Sequence, residues 1–334
     1  MTRFRVVAAA LALPTDRLDI EEDILAGVGA EVVDLRDRPL ASIRHELAAA
    51  DAVLTEALGR DRFDAPAVAS LSRCRVISVY AVGTDGVDVA EATRRGIAVT
   101  NVPDYCTQDV AEHTLALLLT AWRKLPRAER VARSGDWGLE GLRPVRRLSG
   151  RTVGLLGLGR IGREVARRLS GFEVTVLAHD PDADPELAGS LGVRLCGFEE
   201  LLRASEVLTV HAPLTDATRG LLGRDALALL PEGAVLVNAG RGGVVDEEAL
   251  LEALRSGRLG AAALDVVAAE PPARNHPLLA LEQVVCTPHM AYYSEDSLVD
   301  LRRSAAASAA AVLRGERPAS LVNAETLAPG TVRA

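Results

Sequence analysis

Short apolar, β-branched runs alternate along this chain with segments whose apolar residues recur at helical spacing. Up to residue 101 the pattern predicts strands at Arg5–Ala10, Glu31–Leu35, Asp51–Thr55, Arg75–Tyr80 and Ile97–Thr100, with helical segments such as Asp19–Val28 and Ala65–Leu71 between them. Parallel strands need a crossover element at every step, so this rhythm predicts a small parallel α/β domain. Val110, Ala111, Thr114, Leu115 and Leu118 then form an apolar stripe that predicts one long helix over 107–133. An arginine-rich loop, Gly135–Gly150, leads into a second alternating region. Strands are expected there at Thr152–Leu156, Val174–Leu177, Val193–Cys196, Glu206–Val210, Ala234–Asn238, Ala261–Asp265 and Val284–Thr287. An Ala-rich helix from Ser294 to Arg314 closes the pattern, and its flanks suggest a return to the first domain. The fold class is α/β, with two Rossmann-like or flavodoxin-like parallel-sheet domains.

Composition narrows the field. A length of 334 residues suits two domains better than one core. The net charge of −8 argues against a nucleic-acid or anionic-membrane partner. Cys74, Cys106, Cys196 and Cys286 are far apart, with no pair at metal or redox spacing. That predicts a reduced, cytoplasmic protein without a metal site. Arg3 and Arg5 precede the apolar Val6–Leu13, and Ala10-Leu11-Ala12 mimics a leader cleavage site. The run is read instead as a buried first strand that turns at Pro14-Thr15-Asp16. No apolar run reaches membrane-spanning length.

The most informative stretch runs from Thr152 to Asp180. A β-branched strand ends at Gly157, Gly159 and Gly162, and a helical face of Ile161, Val165, Ala166 and Leu169 follows. In this arrangement the first glycine permits the tight turn, the second lets backbone approach a pyrophosphate, and the third lets helix and strand pack closely. The helix N-terminus offers free amides to the phosphates. A second strand closes on Asp180, where a ribose diol would be held, so NAD is the expected cofactor. Nearly every other special residue also follows a predicted strand: His211-Ala212-Pro213, Gly240-Arg241, Asp265 and Pro288-His289. Ligands bind outside the carboxyl ends of parallel strands, so these residues are expected to converge.

Six histidines keep the search for an acid–base group short. His45 falls on a surface helix, His179 precedes the ribose acid, and His276 lies in a polar turn. His113 sits on the long helix as a packing or interface residue, while His211 is open between a structural role and cofactor contact. His289 ends the last strand and is the candidate general acid. A carboxylate beside it would favour its charged form, and Glu270, fixed before Pro271-Pro272, is the candidate. Arg241, between Gly240 and Gly242, has a fork that matches the carboxylate of a 2-keto acid; the alternative is a surface salt bridge. The turn Val82-Gly83-Thr84-Asp85-Gly86 could present amides to an anion or be a plain connection.

Together these residues resemble the D-2-hydroxyacid dehydrogenase family over nearly the whole chain. The matching stretches are Gly83–Asp88, Arg95-Gly96-Ile97, Asn101-Val102-Pro103, Val110–His113, Leu155–Gly162, Asn238–Asp246, Ala263–Val266, Glu270-Pro271 and Thr287-Pro288-His289. The resemblance implies a discontinuous substrate domain, 1–101 with 290–334, and an inserted NAD-binding domain, 102–289, through which the family commonly dimerises. It implies Arg241 on the substrate carboxylate and carbonyl, His289 as acid–base group and Glu270 as its partner. Implied cofactor contacts are Thr84, Gly157, Gly159, Arg160, Ile161, Gly162, Asp180, His211, Ala212, Pro213, Thr218, Ala239, Gly240, Arg241, Asp265 and His289. Implied substrate contacts are Val82, Gly83, Thr84, Arg241 and Tyr292. The expected reaction interconverts a 2-keto acid and an (R)-2-hydroxy acid with NAD(H).

Within the family, His289-Met290-Ala291-Tyr292-Tyr293-Ser294-Glu295 resembles the carboxy-terminal-binding-protein branch, whose corepressors use the same fold as an NADH-responsive dimeric scaffold. That role is the alternative function. Tyr292 replaces that branch's tryptophan, Tyr80 and Ala81 stand where it has an arginine, and Glu56 falls near a histidine position. Fewer cations and an added acid predict a singly charged 2-keto acid, with a polar or amine-bearing tail facing Glu56.

Overall fold

The computed structural model describes residues 4–57 and 61–324. It divides into two units, one running to Cys106 and resuming at Ser294, the other spanning Thr107–Tyr293.

In the first unit β1 (Phe4–Ala8), α1 (Asp19–Ala26), β2 (Ala30–Asp34), α2 (Arg44–Ala48), β3 (Ala52–Thr55), α3 (Ala65–Ala69), β4 (Val76–Val79), α4 (Val89–Arg94) and β5 (Ala98–Thr100) alternate. Their strands form a parallel sheet in the order β2-β1-β3-β4-β5. Val6, Val7 and Ala8 are fully buried inside this sheet, so the leader-like run is a core strand. Asp64 and Asp88 start α3 and α4 by accepting amides of the first turn.

The second unit carries α5 (Thr107–Trp122), α6 (Leu125–Arg133), β6 (Thr152–Leu156), α7 (Arg160–Leu169), β7 (Thr175–His179), α8 (Pro185–Ser190), β8 (Val193–Leu195), α9 (Phe198–Ala204), β9 (Val207–Val210), α10 (Arg224–Leu229), β10 (Ala234–Asn238), α11 (Glu247–Arg255), β11 (Leu259–Leu264) and β12 (Val284–Cys286). The final helix, α12 (Glu295–Leu313), opens with a capping box at Ser294 and packs in the first unit against α1 and β4.

Seven parallel strands run in the order β12-β11-β10-β9-β6-β7-β8. Leu156, Leu208 and Leu236 face one core, whereas Val153, Leu155, Val207, Val235 and Val237 face another. A strand buried on both faces has no polar side, which explains the continuous apolar runs in the sequence.

The single helix expected over 107–133 is two helices. α5 stops at Trp122 and Lys124 adopts a left-handed conformation at φ 54° before α6 begins. Pro126 has no N–H for the Trp122 carbonyl, and its ring would crowd that carbonyl in a continuous helix. The change of unit also falls later than 101/102 and 289/290. The Val102 amide donates to Ala81, holding 102 to the first unit, while the Met290 and Ala291 amides donate to Asp265 of the second. Among the described residues no helix is long and apolar enough to cross a membrane.

Candidate active site

In the second unit, Gly157 follows β6, Asp180 follows β7, His211 follows β9, Ala239 follows β10, Asp265 follows β11 and Thr287 follows β12. In a parallel sheet these ends share one edge, so the residues expected to converge leave the sheet on the same side.

The glycine loop is fixed by backbone crowding. Gly157 has φ +99°, and a Cβ there would lie 2.8 Å from the Ala212 nitrogen. A Cβ on Gly162 would meet the Gly157 carbonyl oxygen at 2.4 Å, whereas one on Gly159 would meet nothing within 4 Å. The open space at Gly159 lies where α7 begins, and no side chain caps that end. Free amides, a positive dipole end and a Cβ-free approach fit a pyrophosphate. Asp180 braces the loop, accepting the Leu158 amide at Oδ2 (2.7 Å) and the Asp182 amide at Oδ1 (3.0 Å). Each oxygen keeps a further lone pair for a ribose hydroxyl.

Behind the loop, His211 Nε2 bonds Thr209 Oγ1 at 3.0 Å, and its Nδ1 is enclosed without a partner. Burial pushes this imidazole down to about 4, so it is neutral at physiological pH. The loop at Ala212 and Pro213 is closed by Thr218, whose hydroxyl donates to the Pro213 carbonyl.

His289 and Glu270, far apart in sequence, meet at 2.6 Å between Nδ1 and Oε2. The other Glu270 oxygen accepts the Val267 amide at 3.1 Å. Burial raises the Glu270 carboxyl, but the hydrogen bond and charge of His289, the Val267 amide and the Arg241 charge outweigh it and hold it below the usual carboxylate value. With Nδ1–H directed at the carboxylate, Nε2 takes no part in this contact. The Tyr292 ring stands edge-on to His289, 6.3 Å between centroids. Arg241 leaves β10 on a turn tied by Asn238, whose Oδ1 accepts the Gly240 amide and whose Nδ2 donates to the Arg241 carbonyl. The Arg241 guanidinium donates back to the Gly240 carbonyl at 3.0 Å.

Sequence reasoning missed what holds His289. Its backbone is left-handed at φ 52°, and its amide donates to the Asp265 carbonyl at 2.8 Å. The buried Asp265 carboxylate accepts the Thr287 hydroxyl (2.6 Å), the Met290 amide (2.9 Å) and the Ala291 amide (2.9 Å). His113 completes the cluster, its Nε2 lying 3.0 Å from Thr287 Oγ1. Only the position of Asp265 after a strand hinted at this.

In the first unit Val82, Gly83 and Thr84 form the turn after β4, held by Asn101 Nδ2 on the Val82 carbonyl at 2.6 Å. Arg62 donates to the Asp85 carbonyl of this turn, a cation that the sequence reading did not place there. Glu56 departs from expectation. It is 7% exposed, and its Oε2 accepts the Ala12 amide at 3.0 Å, so it braces the loop after β1 rather than offering a free acid to a ligand.

A glycine loop that fits a pyrophosphate thus shares its sheet edge with an imidazole–carboxylate pair, the layout of a nucleotide-binding α/β protein. Residues 115–291 match the model of the D-isomer specific 2-hydroxyacid dehydrogenase NAD binding domain, and the chain belongs to that family. The cofactor is accordingly NAD. The chain is 40% identical over 295 residues to a glyoxylate reductase of Aeropyrum pernix, covering 86% of this chain and 88% of that one. It is 40% identical over 268 residues to a D-3-phosphoglycerate dehydrogenase of Archaeoglobus fulgidus, covering 80% of this chain but 51% of that protein. The chain thus spans about half the length of that relative. A crystal structure of D-lactate dehydrogenase from Aquifex aeolicus with NAD and lactic acid superposes with a TM-score of 0.86 at 26% identity, covering 97% of this chain and 100% of that one.

Proposed function

We propose that the protein uses NADH to reduce a short, singly charged 2-keto acid to its (R)-2-hydroxy acid, and runs the reverse oxidation with NAD. The observation that carries this reading is the 2.6 Å contact between His289 Nδ1 and Glu270 Oε2. A ketone that accepts hydride becomes an alkoxide, and an imidazolium aimed at that oxygen supplies the proton. The bound nicotinamide supplies the hydride. Arg241 grips the substrate carboxylate and polarises the adjacent carbonyl. Glu270 accepts from Nδ1 and so orients the ring with Nε2 toward the substrate oxygen, and Asp265 keeps the loop of His289 in place.

The likeness to a glyoxylate reductase over 86% of this chain and 88% of that one favours a small substrate. The test is NADH oxidation by the purified protein with glyoxylate, pyruvate, hydroxypyruvate and 3-phosphohydroxypyruvate. Turnover of the first three, lost about a hundredfold or more in His289→Ala, is expected. Comparable turnover of the phosphorylated acid overturns the charge preference, and absence of turnover with every acid overturns the activity.

We further propose a homodimer through the segment around α6, where Leu125, Trp137 and Leu139 are 50%, 93% and 61% exposed. A monomer by sedimentation at micromolar concentration would contradict it.

A further inference from the structure

The loop that carries Glu270 is gripped by a second carboxylate that the mechanism above does not use. Glu247 opens α11, directly after the Asp246 cap. Its Oε1 accepts the Ala268 amide at 2.8 Å, and its Oε2 lies 3.2 Å from His276 Nε2. Successive amides are therefore claimed by different acids: Val267 by Glu270, Ala268 by Glu247. His276 closes the far end of the same loop, its own amide donating to the Ala273 carbonyl at 3.0 Å. The His276 Nδ1 is enclosed without a partner. A proton there would be a buried donor with no acceptor, so the ring is held as the Nε2–H tautomer, donating to Glu247. Gly242 completes the clamp from below. A Cβ on it would lie 2.1 Å from the Val267 carbonyl, so the loop rests directly on the turn that carries Arg241.

We propose that Glu247 and His276 are positioning residues that set the Glu270–His289 contact by clamping the loop between residues 266 and 277. Each end of that loop is bound to the first turn of α11, a rigid element, so Glu270 cannot swing away without breaking two hydrogen bonds. A side chain on a loop holds a catalytic geometry only when its backbone is tied down in this way. The inference rests on the reductase reading for its kinetic readout but not for its structural one.

Glu247→Ala removes both arms of the clamp. The expected result is about a tenfold fall in kcat with KM for NADH unchanged within about twofold, since the glycine loop is untouched. A merely structural role would instead multiply with any other lesion. In the Glu270→Gln background, therefore, Glu247→Ala should cost less than about twofold more, because its effect passes through Glu270. A full tenfold loss in that background overturns the proposal. His276→Phe breaks one arm and should fall between wild type and Glu247→Ala. Glu247→Gln keeps an acceptor for the Ala268 amide and serves if the alanine variant fails to fold.

Carbon-13 NMR titration of the Glu270 carboxyl gives the independent reading. Its midpoint should rise toward the ordinary value in Glu247→Ala as the His289 contact loosens, and an unchanged midpoint also overturns the proposal. If the wild type turns over no 2-keto acid, the reductase reading fails alone, and this titration still decides the clamp.

Discussion

The Ala291 amide donates to Asp265 Oδ2 at 2.9 Å, joining the end of β11 to the segment just beyond His289. The other oxygen takes the Thr287 hydroxyl and the Met290 amide, so one carboxylate fixes the backbone on both sides of a left-handed histidine. In Asp265→Asn one acceptor oxygen becomes an amide nitrogen, leaving at least one buried donor unpaired. The expected cost is about 1–3 kcal/mol in urea unfolding, with a larger fall in kcat than in NADH affinity. Unchanged stability would show that the carboxylate is not the anchor.

Glu270→Gln should lower kcat/KM for reduction and remove from its pH profile the limb that the Glu270 carboxylate contributes, because the partner of His289 no longer ionises. The Glu270 carboxyl is held below its ordinary value of 4.5 in the folded protein. Its contribution to stability is therefore present above that value and fades as pH falls through the folded one. Profiles of kcat/KM that coincide for wild type and variant would break the proposed pairing.

The glycine loop allows binding to be separated from folding. Gly162→Ala places a methyl 2.4 Å from the Gly157 carbonyl oxygen, and a backbone clash of that kind costs about 1–3 kcal/mol. Gly159→Ala meets nothing within 4 Å, so it should melt near wild type yet bind NADH at least about tenfold more weakly by filling the phosphate approach. Wild-type NADH affinity in Gly159→Ala would place the pyrophosphate elsewhere.

His211 makes the stability of the second unit sensitive to acid. Its imidazole falls from 6.5 to about 4 on folding, so the unfolded chain binds the extra proton between those values. Stability is complete above about 6.5 and is lost by up to about 3 kcal/mol as pH falls to about 4. In His211→Leu that slope should flatten in denaturation midpoints measured across the range. An equally steep slope in the variant would assign the effect to another group.

Arg302 of α12 holds the fully buried Glu21 at 2.7 Å and also donates to the Arg17 carbonyl. Arg302→Met strands a buried carboxylate, and the expected loss is about 3–5 kcal/mol. Adding Glu21→Gln should restore part of it, whereas additive losses would show that the two side chains do not act as a pair.

Much of this was legible before any coordinates. The strands could be read because a sheet covered on both faces leaves uninterrupted apolar runs. The glycine loop could be read because a tight turn and a close helix exclude side chains at fixed spacings. The break between α5 and α6 was also within reach, since Pro126 cannot continue a helix; the apolar stripe overrode it in the sequence reading.

What the chain's local pattern determined was the alternation of elements, the edge from which Gly157, His211, Arg241 and His289 emerge, and the nucleotide-binding turn. Each depends on periodicity or backbone stereochemistry within a few residues. The tertiary structure alone decided which acid meets which amide: Asp265 with Ala291, Glu247 with Ala268, Glu56 with Ala12, Arg302 with Glu21. Those partners are set by crossovers that bring distant segments within about 3 Å, a distance at which hydrogen bonds form and which no local spacing encodes.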